Sequence, residues 1–320
     1  MKASVIVPAY NSEKTIFECI NALLQQENSF EYEIIIVDDG STDNTSKIIK
    51  NINSKRLKYS WQKNSGPAKA RNLGAKKAKG EIIIFTDSDC IATKNWLSEM
   101  IKPFKDKKIV AVQGAYKTKQ KNLIGKFGQI EIEERYEKMK KSKKLDWVGS
   151  YSAAYRRELF NKLKGFDESF PIASGEDPEL SYRVQKTGGK IVFNEKAIVY
   201  HTHPKNLAKY LKTKFFRAYY RPLMYSKHKD KIINDSYTPQ ELKLQILCIY
   251  GIIAFVFLGI ILAEALMLAL GLIILHLLLG AKLFLFALTK DWKVALVSPI
   301  ILLLRSVVFG AGLIWGKLNG

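Results

Sequence analysis

The chain of 320 residues is 47% hydrophobic, which is enough to bury the core of one large domain or of two ordinary ones. Its net charge of +21 is compatible with nucleic acid, an anionic membrane surface or a phosphorylated substrate as the partner. Nucleic acid is excluded because no helix-turn-helix, zinc or aromatic single-strand pattern accompanies the charge, and the three cysteines lack the spacing of a zinc site or a disulfide framework.

Short apolar runs separated by helical patterns predict a parallel sheet in the N-terminal part of the chain. The runs lie at residues 3–8, 33–37, 57–61, 81–86 and 109–113. Gly66 and Pro67 mark the start of a helix between the third and fourth runs, because proline is favoured in the first turn of a helix. This alternation predicts an α/β fold with a doubly wound, mostly parallel sheet. Ligands of such sheets bind beyond the carboxyl ends of the strands.

Acidic side chains follow the ends of two predicted strands. Asp38 and Asp39 come after the second strand, and Asp87 and Asp89 come after the fourth. Like charges repel, so carboxylates gather where a cation, a proton or solvent stabilises them. We therefore predict that a divalent ion holds a nucleotide diphosphate here, while Asp177 deprotonates an incoming hydroxyl. Taken alone, Asp38 and Asp39 are equally well explained as the cap of the next helix.

Three apolar segments occupy the C-terminal part of the chain, at residues 244–263, 265–288 and 294–316. Each is close to the ~20 residues that a helix needs to cross a bilayer. A buried hairpin in a soluble protein is the alternative, but three such segments in a row rarely find enough protein to cover them. Arg305 and His276 lie inside these segments, where an ionisable side chain serves function, snorkels or makes a helix contact. The sequence thus predicts an all-α membrane region.

Basic residues crowd the segment that joins the two parts. Lysine is frequent from 205 to 231, and the pattern from 207 to 224 fits an amphipathic helix on a membrane surface. The positive-inside rule then places the N-terminal domain on the cytoplasmic side of a multi-pass cell-membrane protein, and no apolar signal segment precedes Val5. The predicted organisation is a catalytic domain at 1–203, basic interfacial helices at 204–243 and about three membrane helices at 244–320.

Five motifs carry a resemblance to a known family. They are residues 5–11, the acidic segment 37–43, the segment 66–72, the triplet Asp87-Ser88-Asp89 and the triplet Gly175-Glu176-Asp177. In this order they closely resemble the family-2 glycosyltransferases of the GT-A fold, over roughly residues 1–205. The resemblance implies an inverting hexosyl transfer from a UDP- or GDP-type sugar, helped by Mn²⁺ or Mg²⁺.

The resemblance also implies a donor site. Pro8, Ala9 and Tyr10 would border the base and the ribose, and Asp39 would accept a hydrogen bond from the base. Such contacts are physically reasonable, since a carboxylate accepts from an amide or imide N–H and an aromatic ring offers a stacking face. Asp38 is a secondary candidate, which either orients the ribose or caps the next helix.

A basic residue and two carboxylates are the candidates for the diphosphate and the metal. Arg71 follows Gly66-Pro67 by about one helical turn, so it faces the diphosphate, the nearby carboxylates or solvent, and Lys69 is the alternative basic residue. Asp87 and Asp89 lie two residues apart on an extended segment, so Asp87 is predicted to reach donor hydroxyls and Asp89 to bind the metal. His201 completes the metal shell by the resemblance, with His203 as the second choice and a purely structural role for either.

Asp177 is the predicted general base. Pro178 places it in the first turn of a helix, where the helix dipole favours a charged carboxylate. Glu176 beside it either contacts a substrate hydroxyl or caps the helix. Trp147 either stacks on a sugar ring or belongs to the core, and Arg217 is the candidate for a contact with the acceptor or a phosphate.

The leading functional hypothesis is a membrane-anchored enzyme that glycosylates a lipid-linked glycan. A polyprenyl phosphate is the alternative acceptor, but a phosphate is already deprotonated and needs no base such as Asp177. A non-catalytic scaffold that binds sugar nucleotides is a further alternative. It is disfavoured because the metal and base carboxylates are both present.

Overall fold

The structure is a computed structural model that describes residues 2–142, 144–232, 236 and 238–319. The chain divides into two compact units. The first unit comprises Met1–Lys119 and Met139–Thr202, and the second comprises Gln120–Lys138 and His203–Gly320. The division of function at residues 203 and 243 stays a prediction, and positions 233–235 and 237 of its middle part lie outside the described residues.

Among the described residues of the first unit, eight strands form one sheet. They are β1 (Ala3–Ala9), β2 (Tyr32–Asp38), β3 (Leu57–Trp61), β4 (Ile82–Thr86), β5 (Ile91–Ala92), β6 (Ile109–Lys117), β7 (Ser152–Arg156) and β8 (Lys190–Tyr200). The helices up to residue 186 are α1 (Ile16–Leu24), α2 (Thr45–Lys50), α3 (Pro67–Lys77), α4 (Trp96–Ile101), α5 (Leu123–Lys141), α6 (Arg157–Lys162) and α7 (Glu176–Lys186). The strand order across the sheet is β3-β2-β1-β4-β7-β6-β8-β5.

The predicted α/β fold with a mostly parallel, doubly wound sheet is confirmed. Strands β3, β2, β1 and β4 run parallel, and β2 and β4 are buried along their whole length. Parallel strands with both faces covered are expected to be continuous apolar runs. Two antiparallel additions were not predicted: β7 lies between β4 and β6, and β5 pairs with β8 at the edge.

The strand register brings the chemically important loops to one edge of the sheet. Parallel pairing aligns Ala9 with Asp38, and Ile6 with Phe85. The carboxyl ends of β1, β2 and β4 therefore meet at the same edge. The short strand β5 pairs with the end of β8 and aligns Ile91 with Tyr200, so the loop after β4 lies beside the loop after β8.

The second unit is helical. Besides the larger part of α5 it contains α8 (Leu207–Tyr219), α9 (Arg221–Lys227), α10 (Gln240–Leu258), α11 (Ala265–Leu288) and α12 (Trp292–Asn319). The last three are long and apolar enough to cross a membrane. Helix α11 matches the predicted second span, whereas α10 begins and ends earlier than predicted because Pro239 precedes its first turn and Gly259 follows its last. Helix α12 is longer than predicted at both ends.

Small residues set the contact between α8 and α12. Gly312 and Gly316 on α12 lie against the backbone carbonyl oxygens of Phe215 and Tyr219 on α8. A side chain at either glycine would collide with those oxygens. The close approach of the two backbones therefore depends on glycine, as in many helix pairs of membrane proteins.

Candidate active site

Asp39 closes the turn that opens α3. Its Oδ1 accepts hydrogen bonds from Gln62 Nε2 at 2.6 Å and from the Ser65 N–H at 2.9 Å. Its Oδ2 accepts from the Gly66 N–H at 2.9 Å, and Gly66 has a φ of +92°, a conformation that favours glycine. The carboxylate is buried. Because Oδ1 already accepts two hydrogen bonds and Oδ2 only one, a contact with a nucleotide base would use the acceptor capacity that remains on Oδ2.

Asp38 has protein partners on both carboxylate oxygens. Its Oδ1 accepts from the Ser41 N–H at 2.8 Å, and its Oδ2 accepts from the Tyr59 hydroxyl at 2.8 Å. The side chain is fully buried. These contacts support the explanation of Asp38 as a residue that holds the loop before α2, and they give the ribose contact no support.

The loop after β1 presents an aromatic ring. Tyr10 is 51% exposed, whereas Pro8 is half-buried and the Ala9 side chain is buried. Asn11 adopts a φ of +47°, which asparagine tolerates better than most residues, and its Oδ1 accepts from the Thr42 N–H at 2.8 Å. The loops after β1 and β2 are thus tied together, with the Tyr10 ring available for stacking.

Arg71 on α3 bridges two carboxylates from separate elements. Its Nη1 donates to Glu176 Oε1 at 2.9 Å, and its Nη2 donates to Asp87 Oδ1 at 3.1 Å. Glu176 Oε2 accepts from the N–H groups of Ser174 and Gly175. Because both oxygens of the buried Glu176 are engaged, its position supports a role in holding Arg71 and the start of α7 rather than a contact with a substrate hydroxyl.

Asp89 and His201 meet because β5 pairs with the end of β8. His201 Nε2 lies 3.2 Å from Asp89 Oδ2. The His201 ring stacks on Tyr116 with 4.6 Å between centroids, and Tyr116 stacks on Tyr151 at 3.5 Å. Burial is the largest influence on the pKa of Asp89 and acts to raise it, but the hydrogen bond and the charge of His201, together with the other hydrogen bonds to the carboxylate, lower that pKa below its ordinary value. Asp89 is therefore charged at neutral pH.

The acidic triplet after β4 offers ligands that suit a hard divalent ion. Single ligand atoms of Asp87, Asp89 and Cys90 all lie within 4.8 Å of one another. Burial raises the pKa of the Cys90 thiol well above its ordinary value, so the thiol stays protonated. Its Sγ lies 3.9 Å from Asp89 Oδ1, to which it is a weak hydrogen-bond donor. The Asp87 and Asp89 side chains keep 30% and 39% exposure. Carboxylate oxygens are the ligands that Mg²⁺ and Mn²⁺ prefer, so these residues fit such an ion.

Asp177 is the second residue of α7, and only one of its two carboxylate oxygens has a hydrogen-bond partner among the described residues. Its Oδ2 accepts from the Ser150 N–H at 2.9 Å and from the Ser150 hydroxyl at 3.1 Å. Its Oδ1 is buried and has no hydrogen-bond partner among the described residues. Burial and the neighbouring charge of Glu176 raise the pKa of Asp177 to about 7, although Arg71 opposes the shift. A carboxylate with these properties suits general base catalysis near neutral pH.

Three other predicted candidates were Trp147 in the first unit and His203 and Arg217 in the second. Trp147 is buried in the first unit, with its ring 6.2 Å from that of Tyr151, and this supports a core position. His203 belongs to the second unit, where its Nε2 lies 2.9 Å from Gln129 Oε1. Arg217 is an exposed residue of α8, also in the second unit.

The sequence profile of glycosyl transferase family 2 matches residues 4–164, about half of the chain. The chain belongs to glycosyl transferase family 2. The predicted family is confirmed, and with it the class of the enzyme as a glycosyltransferase. The matched segment contains Asp39, Arg71, Asp87 and Asp89 but ends before Asp177.

The relatives of this family-2 chain agree with that assignment. Poly(ribitol-phosphate) beta-N-acetylglucosaminyltransferase TarS of Staphylococcus aureus is 47% identical over 103 residues, which cover 31% of this chain and 18% of TarS. The match thus spans less than a fifth of the length of this curated relative.

Two solved structures resemble the whole chain. Mannosyltransferase PcManGT from Pyrobaculum calidifontis, in complex with GDP-Man and Mn²⁺, superposes with a TM-score of 0.63 at 20% identity, covering 98% of this chain and 87% of that one. TarS 1-349 of Staphylococcus aureus in complex with UDP has a TM-score of 0.51 at 22% identity, covering 100% and 92%. These likenesses confirm the GT-A type of fold.

Three residues of this family-2 site were missed in the sequence. Ser150 contacts Asp177, Tyr116 stacks on His201, and Gln62 contacts Asp39. Tyr116 was missed because the predicted strand stopped at residue 113, whereas β6 continues to Lys117. Ser150 and Gln62 have no local pattern that would mark them, since their contacts join residues 27 and 23 positions apart.

We expect Ser150→Ala to lower turnover by about tenfold while the KM for the nucleotide sugar changes little. The variant keeps the N–H bond to Asp177 but loses the hydroxyl bond, and a hydrogen bond to a charged group contributes about 1.5–3 kcal/mol. The acid limb of the pH profile should move to higher pH, because the lost donor favours the charged carboxylate. Steady-state kinetics test this role, with Ser98→Ala as the control, because Ser98 is a half-buried serine of α4 whose hydroxyl also donates one hydrogen bond, to Glu27 O. Unchanged turnover and pH profile would refute it.

Proposed function

We propose that this chain is an inverting, metal-dependent hexosyltransferase that moves a sugar from a UDP- or GDP-sugar to a lipid-linked glycan at the cytoplasmic face of the cell membrane. The observation that carries the proposal is the Oδ1 of Asp177, which is buried without a hydrogen-bond partner among the described residues, while Ser150 fixes the other oxygen. Asp87 and Asp89, which follow the carboxyl end of β4, fit a divalent ion.

Donor binding is assigned to the loops after β1, β2 and β4. Tyr10 offers an exposed ring for the base, and Asp39 offers one remaining acceptor on Oδ2. GDP-Man and UDP in the two similar structures support a nucleoside diphosphate donor. Arg71, which is buried between Glu176 and Asp87, acts by positioning Asp87 rather than as a mobile diphosphate ligand.

Asp87 and Asp89 would hold the metal, with His201 as a further ligand. The Mn²⁺ in the mannosyltransferase structure supports a divalent ion as that metal. When bound, the divalent ion would supply positive charge that stabilises the leaving diphosphate. The stack of Tyr151 and Tyr116 keeps the His201 ring in place. The Arg71 contact keeps Asp87 at the same edge.

Asp177 acts on the acceptor. Its Oδ1 takes the proton of the acceptor hydroxyl as that oxygen forms a bond to the anomeric carbon. The bond from that carbon to the diphosphate oxygen breaks, and the nucleoside diphosphate leaves with the electron pair. Attack from the face opposite the diphosphate inverts the configuration. A phosphate acceptor needs no base. The presence of Asp177, with one oxygen fixed by Ser150 and the other without a partner among the described residues, therefore favours a hydroxyl acceptor over the alternative polyprenyl phosphate.

A lipid-linked acceptor is assigned because of the second unit. Helices α10, α11 and α12 have the length and composition of membrane spans, and α8 carries basic residues such as Lys209, Lys212 and Arg217 beside apolar ones. Basic amphipathic helices are attracted to anionic lipid surfaces. A non-catalytic scaffold receives no support, because Asp87, Asp89 and Asp177 are all in place.

A donor and acceptor screen tests this function. The full chain in phospholipid is incubated with UDP-, GDP- and dTDP-sugars, with or without Mn²⁺, and with a lipid-linked glycan or a polyprenyl phosphate. We expect one UDP- or GDP-sugar to release its nucleotide only when Mn²⁺ and the lipid-linked glycan are both present. Release with polyprenyl phosphate alone would contradict the hydroxyl acceptor, and release without any lipid acceptor would contradict the lipid assignment.

A further inference from the structure

One guanidinium joins the acidic triplet after β4 to the helix that carries the proposed base. Arg71 Nη2 lies 3.1 Å from Asp87 Oδ1, and its Nη1 lies 2.9 Å from Glu176 Oε1. The Arg71 and Glu176 side chains are only 3% and 2% exposed, whereas Asp87 keeps 30%. Glu176 directly precedes Asp177 at the start of α7. The bridge therefore runs from a buried carboxylate beside the base to a more accessible carboxylate on the metal side.

The buried end of the bridge is held from several directions. Glu176 Oε2 accepts from the Ser174 N–H at 2.8 Å and from the Gly175 N–H at 3.1 Å. The Phe166 ring lies beside the guanidinium, with 5.5 Å between Arg71 Cζ and the ring centroid. A buried charge that loses its partner is costly, so Arg71 and Glu176 depend on each other. The guanidinium thus has a fixed position beside Asp87.

Glu176 offsets a positive charge that would otherwise act on the metal side alone. An arginine side chain stays charged at any pH at which the protein works. Without the Glu176 carboxylate, Arg71 would direct its whole charge towards Asp87 and would repel a divalent cation held by that carboxylate. Charges separated by a few ångströms in a partly buried site interact strongly. The charge on Glu176 therefore favours a cation at Asp87 even though both Glu176 oxygens are engaged elsewhere.

We propose that Glu176 is a positioning residue that raises the affinity of the site for its divalent ion, acting through Arg71 and without touching the ion. The inference rests on the metal-dependent transfer of the proposed function, which assigns Asp87 to the metal. It gives the start of α7 a second task. The residue next to the base also helps to hold the ion that stabilises the leaving diphosphate.

Helix α7 contains a matched control in its first turn. Glu179 is buried like Glu176, and its Oε2 lies 2.6 Å from Arg183 Nη2. Arg183 also donates to the Gly165 carbonyl oxygen at 2.7 Å, whereas Arg71 donates to a carboxylate of the metal side. Both glutamates are thus buried partners of an arginine at the same end of one helix. Their comparison separates the stability of α7 from the effect on the ion.

Mn²⁺ binding without any sugar nucleotide or acceptor tests the proposal. The full chain in neutral detergent is titrated with Mn²⁺, free ion is followed by electron paramagnetic resonance, and the site is identified as the one lost in Asp89→Ala. We expect Glu176→Gln to weaken Mn²⁺ binding at this site by about tenfold, because the charge of Arg71 is no longer offset. Glu179→Gln should stay within about twofold of the wild type, although the melting temperatures of both variants should fall.

A second variant tests whether the effect passes through Arg71. Arg71→Lys keeps the charge but replaces a planar fork that holds two carboxylates by an ammonium that holds one. It should also weaken Mn²⁺ binding by about tenfold. If Glu176 acts through Arg71, the double variant Arg71→Lys with Glu176→Gln should bind Mn²⁺ about as weakly as either single variant.

Three outcomes would overturn the proposal. Wild-type affinity for Mn²⁺ in Glu176→Gln would leave Glu176 with a purely structural role. An equal loss in Glu179→Gln would show that the stability of α7 controls binding, and a loss of about a hundredfold in the double variant would show that Glu176 acts independently of Arg71. If Glu176→Gln fails to fold, Arg71→Lys decides, because wild-type affinity in that variant excludes the bridge.

The result is separable from that of the proposed function. Unchanged Mn²⁺ affinity in Glu176→Gln, together with Mn²⁺ binding by the wild type, overturns the role of Glu176 and leaves metal-dependent transfer in place. A wild type that binds no Mn²⁺ at Asp89 overturns the metal-dependent function itself and the role of Glu176 with it.

Discussion

We expect that replacing Asp177 by asparagine will lower turnover by about 10²–10⁴ while donor and metal affinities stay within a few fold. The substitution preserves the shape of the side chain and its hydrogen bonds from Ser150 but removes the group that takes the acceptor proton. Turnover is measured as nucleotide release with the hydroxyl acceptor, and donor affinity by calorimetry. Asp106→Asn, an exposed residue before β6, is the matched control. An Asp177→Asn enzyme as fast as the wild type would exclude Asp177 as the base.

The pH dependence of the wild-type enzyme follows from the raised pKa of Asp177, which is about 7. The base works in its charged form, so kcat/KM should fall as the pH drops through neutrality. Burial is the largest cause of the raised pKa and the charge of Glu176 is the second. Both disfavour the charged form of Asp177. An acid limb near pH 4 in the wild type would contradict this environment.

The raised pKa also predicts the sign of a stability effect. Because the folded state favours protonated Asp177, its contribution to stability is complete below the ordinary value of 3.8 and is lost as the pH rises to about 7. The neutral side chain of Asp177→Asn avoids that loss. The variant should therefore have a higher melting temperature than the wild type at pH 8, with a smaller difference at pH 4.

We expect Asp89→Ala to abolish metal-dependent transfer, with a loss in rate of about 10³ or more, because a metal ion contributes several kcal/mol and each 1.36 kcal/mol is tenfold. Asp89 offers a charged carboxylate at the edge of the sheet, 3.2 Å from His201. The electron paramagnetic resonance signal of bound Mn²⁺ should disappear, while circular dichroism and the melting transition stay close to those of the wild type.

Two comparisons sharpen the metal experiment. Asp106→Ala removes an exposed carboxylate of the first unit and should leave Mn²⁺ binding intact. The wild type in a chelator should lose activity and regain it when Mn²⁺ is added. Full activity of Asp89→Ala, or of the wild type in chelator, would remove the metal from the mechanism.

The parallel half of the sheet could be predicted because its physics is local. Strands β1, β2 and β4 are buried on both faces, and such strands are continuous apolar runs that end where the polar loops begin. Strand β5 has two residues, and β7 has the composition Ser-Ala-Ala-Tyr-Arg, so neither has the length or the pattern that identifies a strand.

The candidate site was predicted as far as strand ends alone define it. Asp87 and Asp89 follow β4 directly, and Arg71 lies on the helix that precedes that strand. The contact of His201 with Asp89 depends on the antiparallel pairing of β5 with β8, which joins residues more than a hundred positions apart. The full engagement of Glu176 by Arg71 and two backbone N–H groups likewise has no local signal.

The most direct test of the central claim is the anomeric configuration of the product, determined by nuclear magnetic resonance. The wild type in lipid, supplied with Mn²⁺ and an α-linked UDP- or GDP-sugar, should transfer the sugar to the lipid-linked glycan in a β linkage. The same product should be nearly absent with Asp177→Asn. An α linkage formed by the wild type would contradict single displacement by a hydroxyl that Asp177 deprotonates.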